Sequence, residues 1–372
     1  MLNHPNHHHQ PPSTTPGIRP STPCILLSTI LFSLLLILFF STSTHPPPSL
    51  PPLDPSLFPP DSPHRHLFLS SSNTTSHKSK QNPPSPPPPP SIAYLISGSS
   101  NETGRILRLL FSIYHPKNIY LLHLDSRASQ AERDNLAVKI QSFPLFKAAQ
   151  NVNVVGKADI VYQQGSSTIS AILHGASTFL RISKNWDWFI NLSVDDYPLV
   201  TQDGSSSAIL SRKFIEFCIL GTDNLPRTVL MYLANTPSAN SVYFPTILCN
   251  TQKFNRTIIN HNLQYVSLNL RKEPHLLNSS YYTDLVQSGA AFASRFRPDD
   301  PILDRIDKEI LHRAPRKPVP GGWCLGESGL DSCKVWGDAD ILKPGLGAKR
   351  LENRLLELLS KETFLSQQCV VN

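Results

Sequence analysis

Several motifs that identify common classes of protein are absent from this chain of 372 residues. It contains neither a GxGxxG nor a GxxxxGKS/T string, which excludes the dinucleotide-binding fingerprint and the P-loop. Outside a low-complexity histidine cluster at residues 7–9, no CxxC and no pair of histidines at helical spacing indicates a metal site. No basic run with interleaved aromatic residues accompanies the net charge of +7, so we expect no nucleic-acid partner.

Proline is distributed unevenly, which divides the chain into two parts. Most of the 35 prolines precede Ser91, and residues 41–91 form a stretch rich in proline and serine. Such a stretch favours extended polyproline conformations and cannot bury a core, so we predict a stem. A hydroxyproline-type wall protein is the alternative, although the stretch is short and a globular sequence, residues 92–372, follows it.

Residues 24–40 are apolar apart from a few hydroxyl groups. These 17 residues are at the short end of what spans a bilayer core. A cleaved signal peptide is the alternative, but the segment starts far from Met1 and no clean cleavage site follows. Arg19 precedes it, and no Lys or Arg follows until Arg65. We therefore predict a single-pass type II anchor, with residues 1–23 cytosolic and the rest luminal.

Cysteines and glycosylation sequons fit a luminal domain. Five cysteines follow the anchor, and an oxidising lumen predicts disulfides with one thiol left over. Spacing does not decide the pairing, although Cys324 and Cys333 are near enough to close a small loop. The disulfide candidates are Cys218, Cys249, Cys324 and Cys333. The predicted glycosylation sites are Asn73, Asn101, Asn255 and Asn278. A fifth sequon, at Asn191, falls in a predicted buried strand, and we do not expect it to be used.

From residue 92 onward, strand patterns alternate with helical patterns. Apolar and β-branched runs predict strands at residues 92–96, 119–124, 152–155 and 188–192. Helical periodicity lies between them at residues 104–114 and 131–143, and Thr168 is placed to cap a third helix. Asp300 and Pro301 indicate the start of a later helix. This alternation predicts an α/β fold with a mostly parallel sheet and right-handed crossovers, an architecture that commonly binds nucleotides.

Carboxylates follow two of the predicted strands, where open α/β sheets bind ligands. Asp125 can accept hydrogen bonds from a base or a ribose, although a turn or cap aspartate is the alternative. Asp195 and Asp196 can hold a divalent cation, but the absence of a third ligand makes this the weaker interpretation. A basic loop at residues 343–350 can bind a diphosphate, and a solvated linker is its alternative.

Five strings in the later part of the chain resemble one enzyme family. They are DWFINLSVDDYPLVTQD, LGTDNLPRTVLMY, SGAAFASRF, PGGWC and GAKRLE. In this order they are similar to the core-2/I-branching glycosyltransferases, and more narrowly to a plant branch resembling β-glucuronosyltransferases of arabinogalactan proteins. The resemblance implies a GT-A-like fold, a Golgi location, a UDP-sugar donor and a glycan or glycoprotein acceptor. It also implies inversion at the anomeric carbon, with no metal and no further cofactor.

The resemblance also implies roles for individual residues. Asp125 corresponds to the nucleotide-contacting aspartate, and Tyr162 to the tyrosine on the uracil. Lys349, with Arg350 beside it, corresponds to the basic residue that replaces a metal at the diphosphate, where a fixed cation stabilises the leaving UDP. Trp323 resembles an acceptor-stacking tryptophan.

Ser193 and Asp196 match the family's strand-end motif, in which Asp195 has no counterpart role. Two departures from the family pattern concern the acceptor side. Gly204 follows Asp203 at a point where the family has a long segment, so we predict that a block on the acceptor side is missing. Ser241 occupies the position of the family's catalytic glutamate, and a hydroxyl is a poor general base at neutral pH. Two hypotheses follow: an active Golgi glycosyltransferase, or a non-catalytic or truncated member that binds a donor or a partner.

Overall fold

A computed structural model describes residues 88–162, 165–204, 210–259, 261–270, 273–326 and 332–369. The predicted anchor, residues 24–40, and most of the predicted stem lie outside these ranges, so the predicted domain boundaries stay predictions. Among the described helices, none combines the length and the apolar character needed to cross a bilayer.

The centre of the fold is a five-stranded sheet. Its strands are β1 (Ile92–Gly98), β2 (Ile119–Leu124), β3 (Val152–Val154), β4 (Trp188–Ser193) and β6 (Leu210–Ser211). The strand order is β3-β2-β1-β4-β6, and every pair is parallel except β4 with β6. The predicted α/β class with a mostly parallel sheet is therefore confirmed.

A second, smaller sheet contains β5 (Asp196–Pro198), β7 (Gln264–Val266) and β8 (Phe292–Ser294) in the order β5-β8-β7. The helices are α1 (Thr103–Ile113), α2 (Gln130–Ser142), α3 (Pro144–Ala149), α4 (Ser167–Ile182), α5 (Arg212–Leu220), α6 (Leu225–Tyr232), α7 (Ala239–Cys249), α8 (Tyr282–Gln287), α9 (Pro301–Glu309), α10 (Leu346–Leu358) and α11 (Lys361–Ser366). Because β5 follows β4 after two residues, the acidic turn joins the two sheets.

Local sequence explains where several helices begin. Ser129 and Glu132 form a capping box at the start of α2, which satisfies two backbone N–H groups at once. As predicted, Asp300 caps α9 by accepting a hydrogen bond from Ile302 N at 3.1 Å. The prediction that Thr168 caps a helix is wrong, because α4 begins one residue earlier and the Thr168 hydroxyl donates to Tyr162 O.

The two faces of the main sheet carry separate apolar clusters. Side chains alternate along a strand, so Tyr94 and Ile96 face one cluster while Leu95 faces the other. Helix α4 packs on the second face through Gly175, where a Cβ atom would lie 2.7 Å from a Leu95 methyl carbon. A side chain at position 175 would therefore require the Leu95 side chain to move.

A buried ionic cluster holds α1, β5 and α9 together. Asp307 accepts hydrogen bonds from Arg313 Nε at 2.6 Å, from the Tyr197 hydroxyl at 2.5 Å and from Arg108 Nη2 at 2.8 Å. The Arg313 side chain is 2% exposed, so the Asp307 carboxylate, and not water, compensates its positive charge. Breaking such a buried pair leaves an uncompensated charge, which is far more costly than losing a surface ion pair.

Two disulfides are formed by the described cysteines. Cys324 pairs with Cys333, within the small loop that their spacing allows. Cys249 pairs with Cys369, across a sequence separation of 120 residues. Among the described cysteines, Cys218 is the leftover thiol. The prediction that Cys218 forms a disulfide is therefore wrong, and Cys369 is the partner of Cys249 instead. Burial raises the pKa of the Cys218 thiol to about 12, which keeps it protonated and unreactive.

We predict that Asp307→Ala lowers the free energy of unfolding by about 3–5 kcal/mol, because it strands the buried Arg313 guanidinium. Asp304→Ala is the matched control, since Asp304 contacts the same Arg108 but its side chain is 80% exposed. This control should cost at most about 1 kcal/mol. Urea denaturation of both variants measures the difference, and equal costs would contradict a structural role for the buried cluster.

Candidate active site

The carboxyl ends of three parallel strands lie side by side. The register pairs Ser97 of β1 with His123 of β2 and with Ser193 of β4. Since β2 and β3 lie on one side of β1 and β4 on the other, the chain reverses its winding direction between β1 and β4. In open α/β sheets, ligands bind outside the carboxyl ends of the strands at such a switch point.

Asp125 follows β2 at this edge and is 4% exposed. Its Oδ1 accepts hydrogen bonds from the Ser99 hydroxyl and from Arg127 N, both at 3.0 Å, and its Oδ2 accepts from Arg127 Nε at 2.8 Å. Burial alone would raise the pKa of this carboxyl, but the hydrogen bonds from Arg127 and Ser99 outweigh it and the net pKa is lowered. The carboxylate is therefore ionised at neutral pH.

Tyr162 lies on the same edge as Asp125. The segment that carries it is attached next to Asp125, because Ser126 N donates to Asp159 O at 2.9 Å. The Tyr162 side chain is 65% exposed, and its backbone N–H donates to the Ser167 hydroxyl at the start of α4. The structure thus ties the segment before Tyr162 to the residue that follows Asp125 and leaves the phenol ring accessible.

Asp159, three residues before Tyr162 in the chain, forms a cluster with two histidines. Its Oδ2 lies 2.8 Å from His174 Nδ1 and 3.3 Å from His123 Nε2. Burial lowers the pKa of His123, although Asp159 and Asp125 oppose that shift. His123 is 3% exposed and neutral, and its Nε2 makes no hydrogen bond within the described residues, so His174 is the hydrogen-bond partner of Asp159 in this cluster.

The acidic turn after β4 separates its two carboxylates. Asp196 is 8% exposed and accepts hydrogen bonds from Ser193 N at 2.7 Å and from Gln264 Nε2 at 2.6 Å. Burial raises the pKa of Asp196, and the Ser193 hydrogen bonds oppose this rise. The motif pair Ser193 and Asp196 thus closes the turn on itself and ties it to β7.

Asp195 points away from that turn toward two arginines. Arg105 Nη2 of α1 lies 2.8 Å from one of its oxygens, and Arg295 Nε, just after β8, lies 3.5 Å from the other. From the sequence, Asp195 had only the weaker interpretation as a cation ligand, and both arginines were missed. Arg105 and Arg295 are 190 residues apart in the chain, so no local pattern brings them together. The position of Arg295 inside the SGAAFASRF string was the one available signal.

The other predicted donor residues lie elsewhere. Lys349 lines a cavity of about 790 Å³ together with Ile92 and Asn118, which lie at the amino ends of β1 and β2. The backbone of Arg350 packs against Gly289. Lys349 therefore faces the opposite edge of the sheet from Asp125, and the role predicted for Lys349 and Arg350 at a diphosphate stays a prediction.

Trp323 is 1% exposed and packs edge-on against Tyr114 and Trp336. Protein atoms therefore cover both faces of the indole on which an acceptor sugar would stack.

Ser241 lies in the first turn of α7, and its hydroxyl donates to Ser238 O at 2.8 Å. No carboxylate contacts Ser241 among the hydrogen bonds of the described residues, so no base is identified there.

Of the predicted glycosylation sites, Asn101 and Asn278 are exposed and Asn255 is half-buried, while Asn73 lies outside the described residues. Asn191 is half-buried in β4.

Within the described residues, no group of three or more His, Cys, Asp or Glu side chains is placed to hold a metal ion. A donor site that works without a metal remains a proposal.

At the amino edge, Asp203 connects three segments. Its Oδ2 accepts hydrogen bonds from Gly322 N and Lys343 N, both at 2.6 Å, and its Oδ1 faces His115 Nε2 at 4.0 Å. Lys117 N donates to His115 Nδ1, so the neutral imidazole carries its proton on Nε2. Burial lowers the pKa of His115 to about 4, although Asp203 opposes the shift.

Comparison with known proteins now decides the family. The Core-2/I-Branching enzyme family profile matches residues 92–204 and 202–282. The chain belongs to this family. It is 39% identical over 345 residues to β-glucuronosyltransferase GlcAT14A of Arabidopsis thaliana, covering 74% of this chain and 77% of that protein. GlcAT14B of the same plant is 38% identical over 346 residues, covering 75% and 80%.

More distant relatives are named as transferases of a different sugar, xylose. A xylosyltransferase of Ciona intestinalis is 32% identical over 108 residues, which cover 29% of this chain and 12% of that protein. The relatives named here are all glycosyltransferases, and this chain is a glycosyltransferase of the same family.

The family match is in two parts, which bears on the predicted missing block, although that block stays a prediction. The two parts of the family match meet at residues 202–204, where the sequence departs from the family pattern. The alignment with GlcAT14A is 345 residues long, yet it covers only 74% of this 372-residue chain. The alignment is therefore longer than the part of this chain that it covers, so a sizeable portion of GlcAT14A faces gaps here. The break in the family match falls beside Asp203, the residue that connects the amino-edge segments.

We predict that lowering the pH destabilises the fold, because His115 is kept neutral in the folded state and accepts a proton more readily in the unfolded chain. Its folded pKa of about 4 lies below the unfolded value of 6.5, so the unfolded chain binds more protons between these values. The free energy of unfolding should therefore fall by about 3 kcal/mol as the pH drops from 6.5 to 4. His115→Gln cannot ionise, and its stability curve over the same range should be flatter by that amount. Parallel curves for the two proteins would contradict the assignment.

Proposed function

We propose that the carboxyl edge of the main sheet binds a UDP-sugar and that the sugar transferred is glucuronic acid. The supporting observation is the convergence of Asp125, Tyr162, Asp195 and two arginines at the switch point of the sheet. The donor sugar rests on the names of the Arabidopsis relatives, which are β-glucuronosyltransferases.

Asp125 and Arg127 bind the nucleoside when their contact with each other opens and each contacts the ligand instead. The Arg127 side chain is 67% exposed, so its contact with Asp125 is readily replaced. A ribose hydroxyl or the uracil N3–H donates to Asp125 Oδ2 when Arg127 swings away. The released guanidinium then faces the anionic part of the same ligand, and the exposed Tyr162 ring is available to stack on the base.

Fixed cations neutralise the diphosphate in place of a metal. Arg105 and Arg295 both reach the switch point through Asp195, and an arginine fork matches two phosphate oxygens at once. Charge that develops on the leaving UDP is stabilised by these preorganised groups. A single displacement at the anomeric carbon would form the new glycosidic bond, break the bond to UDP and invert the configuration. The step also needs a general base to take the proton of the acceptor hydroxyl, and no described residue is assigned that role.

The proposed acceptor is a galactan side chain of an arabinogalactan-type glycoprotein, and the proposed location is the Golgi lumen. The apolar segment at residues 24–40 would anchor the enzyme as a single-pass type II protein, and the Pro-rich stem would hold its domain away from the bilayer. Two disulfides in the described residues fit an oxidising compartment.

A second candidate function is donor binding without transfer. Two observations favour it for the chain as it stands. Ser241 stands where a glutamate is expected as the base, and part of GlcAT14A has no counterpart in this chain. Neither change touches Asp125 or the arginines, so donor affinity and transfer rate separate the two functions.

We predict that Asp125→Asn weakens UDP binding by about 10- to 100-fold, since hydrogen bonds to a charged group contribute about 1.5–3 kcal/mol. Isothermal titration calorimetry with UDP measures this. Asp134→Asn on α2 is the matched control, because that exposed carboxylate contacts Gln130 instead of the proposed site. UDP affinity that is equal in the two variants would refute the proposed nucleoside contact.

We also predict that Ser241→Glu raises the transfer rate by at least about 10²-fold in a chain that regains the missing residues, because a positioned general base contributes this much. Radiolabelled sugar transfer to a galactan measures the rate, and Ser241→Ala is the control that adds no base. UDP affinity should be the same in both. An unchanged rate in a variant that still binds UDP would show that position 241 does not supply the base.

A further inference from the structure

The Asp195 carboxylate lies between two arginines and contacts each through a different oxygen. Arg105 Nη2 donates to its Oδ1 at 2.8 Å, and Arg295 Nε lies 3.5 Å from its Oδ2. Within the described residues, this carboxylate has no other hydrogen-bond or ion-pair partner. It therefore bridges the two guanidinium groups, in the position that the proposed function gives to the diphosphate.

The backbone holds Asp195 at this position. The antiparallel register pairs Asp196 of β5 with Ser294 of β8, so Asp195 and Arg295 lie opposite each other at the end of this ladder. Phe296 N, one residue further on, donates to Asp195 O at 3.2 Å. The Asp195 side chain is 33% exposed, so it can turn into solvent while its backbone stays in place.

Arg105 does not need Asp195 to stay in position. Its Nη1 donates to Glu102 Oε1 at 2.8 Å, and its Nη2 also donates to Phe296 O at 3.1 Å. Glu102 is fixed in turn, because its other oxygen accepts a hydrogen bond from Ser99 N at 2.7 Å. The Arg295 side chain is 51% exposed, and its contact with Asp195 is long. The effect of Asp195 on both arginines is therefore mainly electrostatic.

The formal charges of this cluster cancel at neutral pH. Arg105 and Arg295 are cations, and Glu102 and Asp195 are their carboxylate partners. A doubly negative diphosphate is attracted less by a neutral cluster than by one with excess positive charge, because the carboxylates repel it. Glu102 is tied to the loop after β1, whereas the Asp195 oxygens contact only the two arginines. Asp195 is therefore the carboxylate that an incoming anion can replace.

We propose that Asp195 is an internal counter-ion, which occupies the diphosphate position between Arg105 and Arg295 and is displaced when the donor binds. Asp195 thereby limits the affinity of the site for UDP and takes no part in binding the nucleoside. This inference rests on the proposed function, because it takes the donor to bind these arginines through its diphosphate.

The test measures the binding of UDP and of uridine to the full chain by isothermal titration calorimetry. Asp195→Asn keeps the shape of the side chain and removes its charge, so UDP affinity should rise by at least about tenfold. Uridine lacks the diphosphate, and its affinity should stay the same. Asp195→Glu keeps the charge and should change UDP affinity little. Asp134→Asn removes an equal charge from a side chain that contacts Gln130, and it should not tighten UDP binding.

UDP affinity that is unchanged in Asp195→Asn would overturn the proposal. Weaker UDP binding would also overturn it, since that result assigns Asp195 to positioning the arginines. An equal gain for uridine would do the same, because uridine has no phosphate to displace the carboxylate. If Asp195→Asn does not fold, Asp195→Ser removes the same charge and allows the same comparison.

The proposed function and this inference fail in different ways. If the original chain binds UDP and Asp195→Asn gains nothing, the counter-ion role alone is wrong. If UDP binds neither the original chain nor any variant, the proposed function is wrong and the counter-ion role falls with it.

Discussion

The structure depends on the parallel pairing of β1 with both of its neighbours. Six aligned residues on each side fix the levels at which β2 and β4 end, and therefore where the following turns begin. Asp125 and Asp195 reach the same edge because of this register, although three helices and two strands separate them in the chain. A shift by one residue would turn Tyr94 and Leu95 to the wrong faces, so the two apolar clusters hold the register in place.

Charged groups in this protein divide into structural and accessible pairs according to burial. The contact of Asp307 with Arg313 lies in the interior, where both groups depend on each other and exchange with an outside ligand is costly. The contact of Asp125 with Arg127 has one exposed partner, so it opens at little cost. Asp195 with Arg105 and Arg295 lies between these extremes, which suits the role proposed for these cations at a diphosphate.

The family match is interrupted at residues 202–204, beside a polar cavity at the amino edge of the main sheet. This cavity is lined by Gln202 and Asp203, and His115 Nε2 and Asp203 Oδ1 lack hydrogen-bond partners among the described residues. The proposed donor site depends on β1, β2 and β4, which lie before this interruption. If the chain lacks residues there, the proposed transfer would be affected more directly than the proposed donor binding.

Sequence alone determined the α/β class, the strands β1 to β4 and the family, because buried strands and amphipathic helices have periodicities that a single chain displays. It also pointed to Asp125 and Tyr162, which the fold brings to one edge since each follows a strand of the parallel sheet. Only the tertiary structure decided that Asp195 meets Arg105 and Arg295, that Trp323 is buried and that Lys349 faces the opposite edge. Those facts depend on contacts between distant segments, whose geometry follows from packing and has no signature in local sequence.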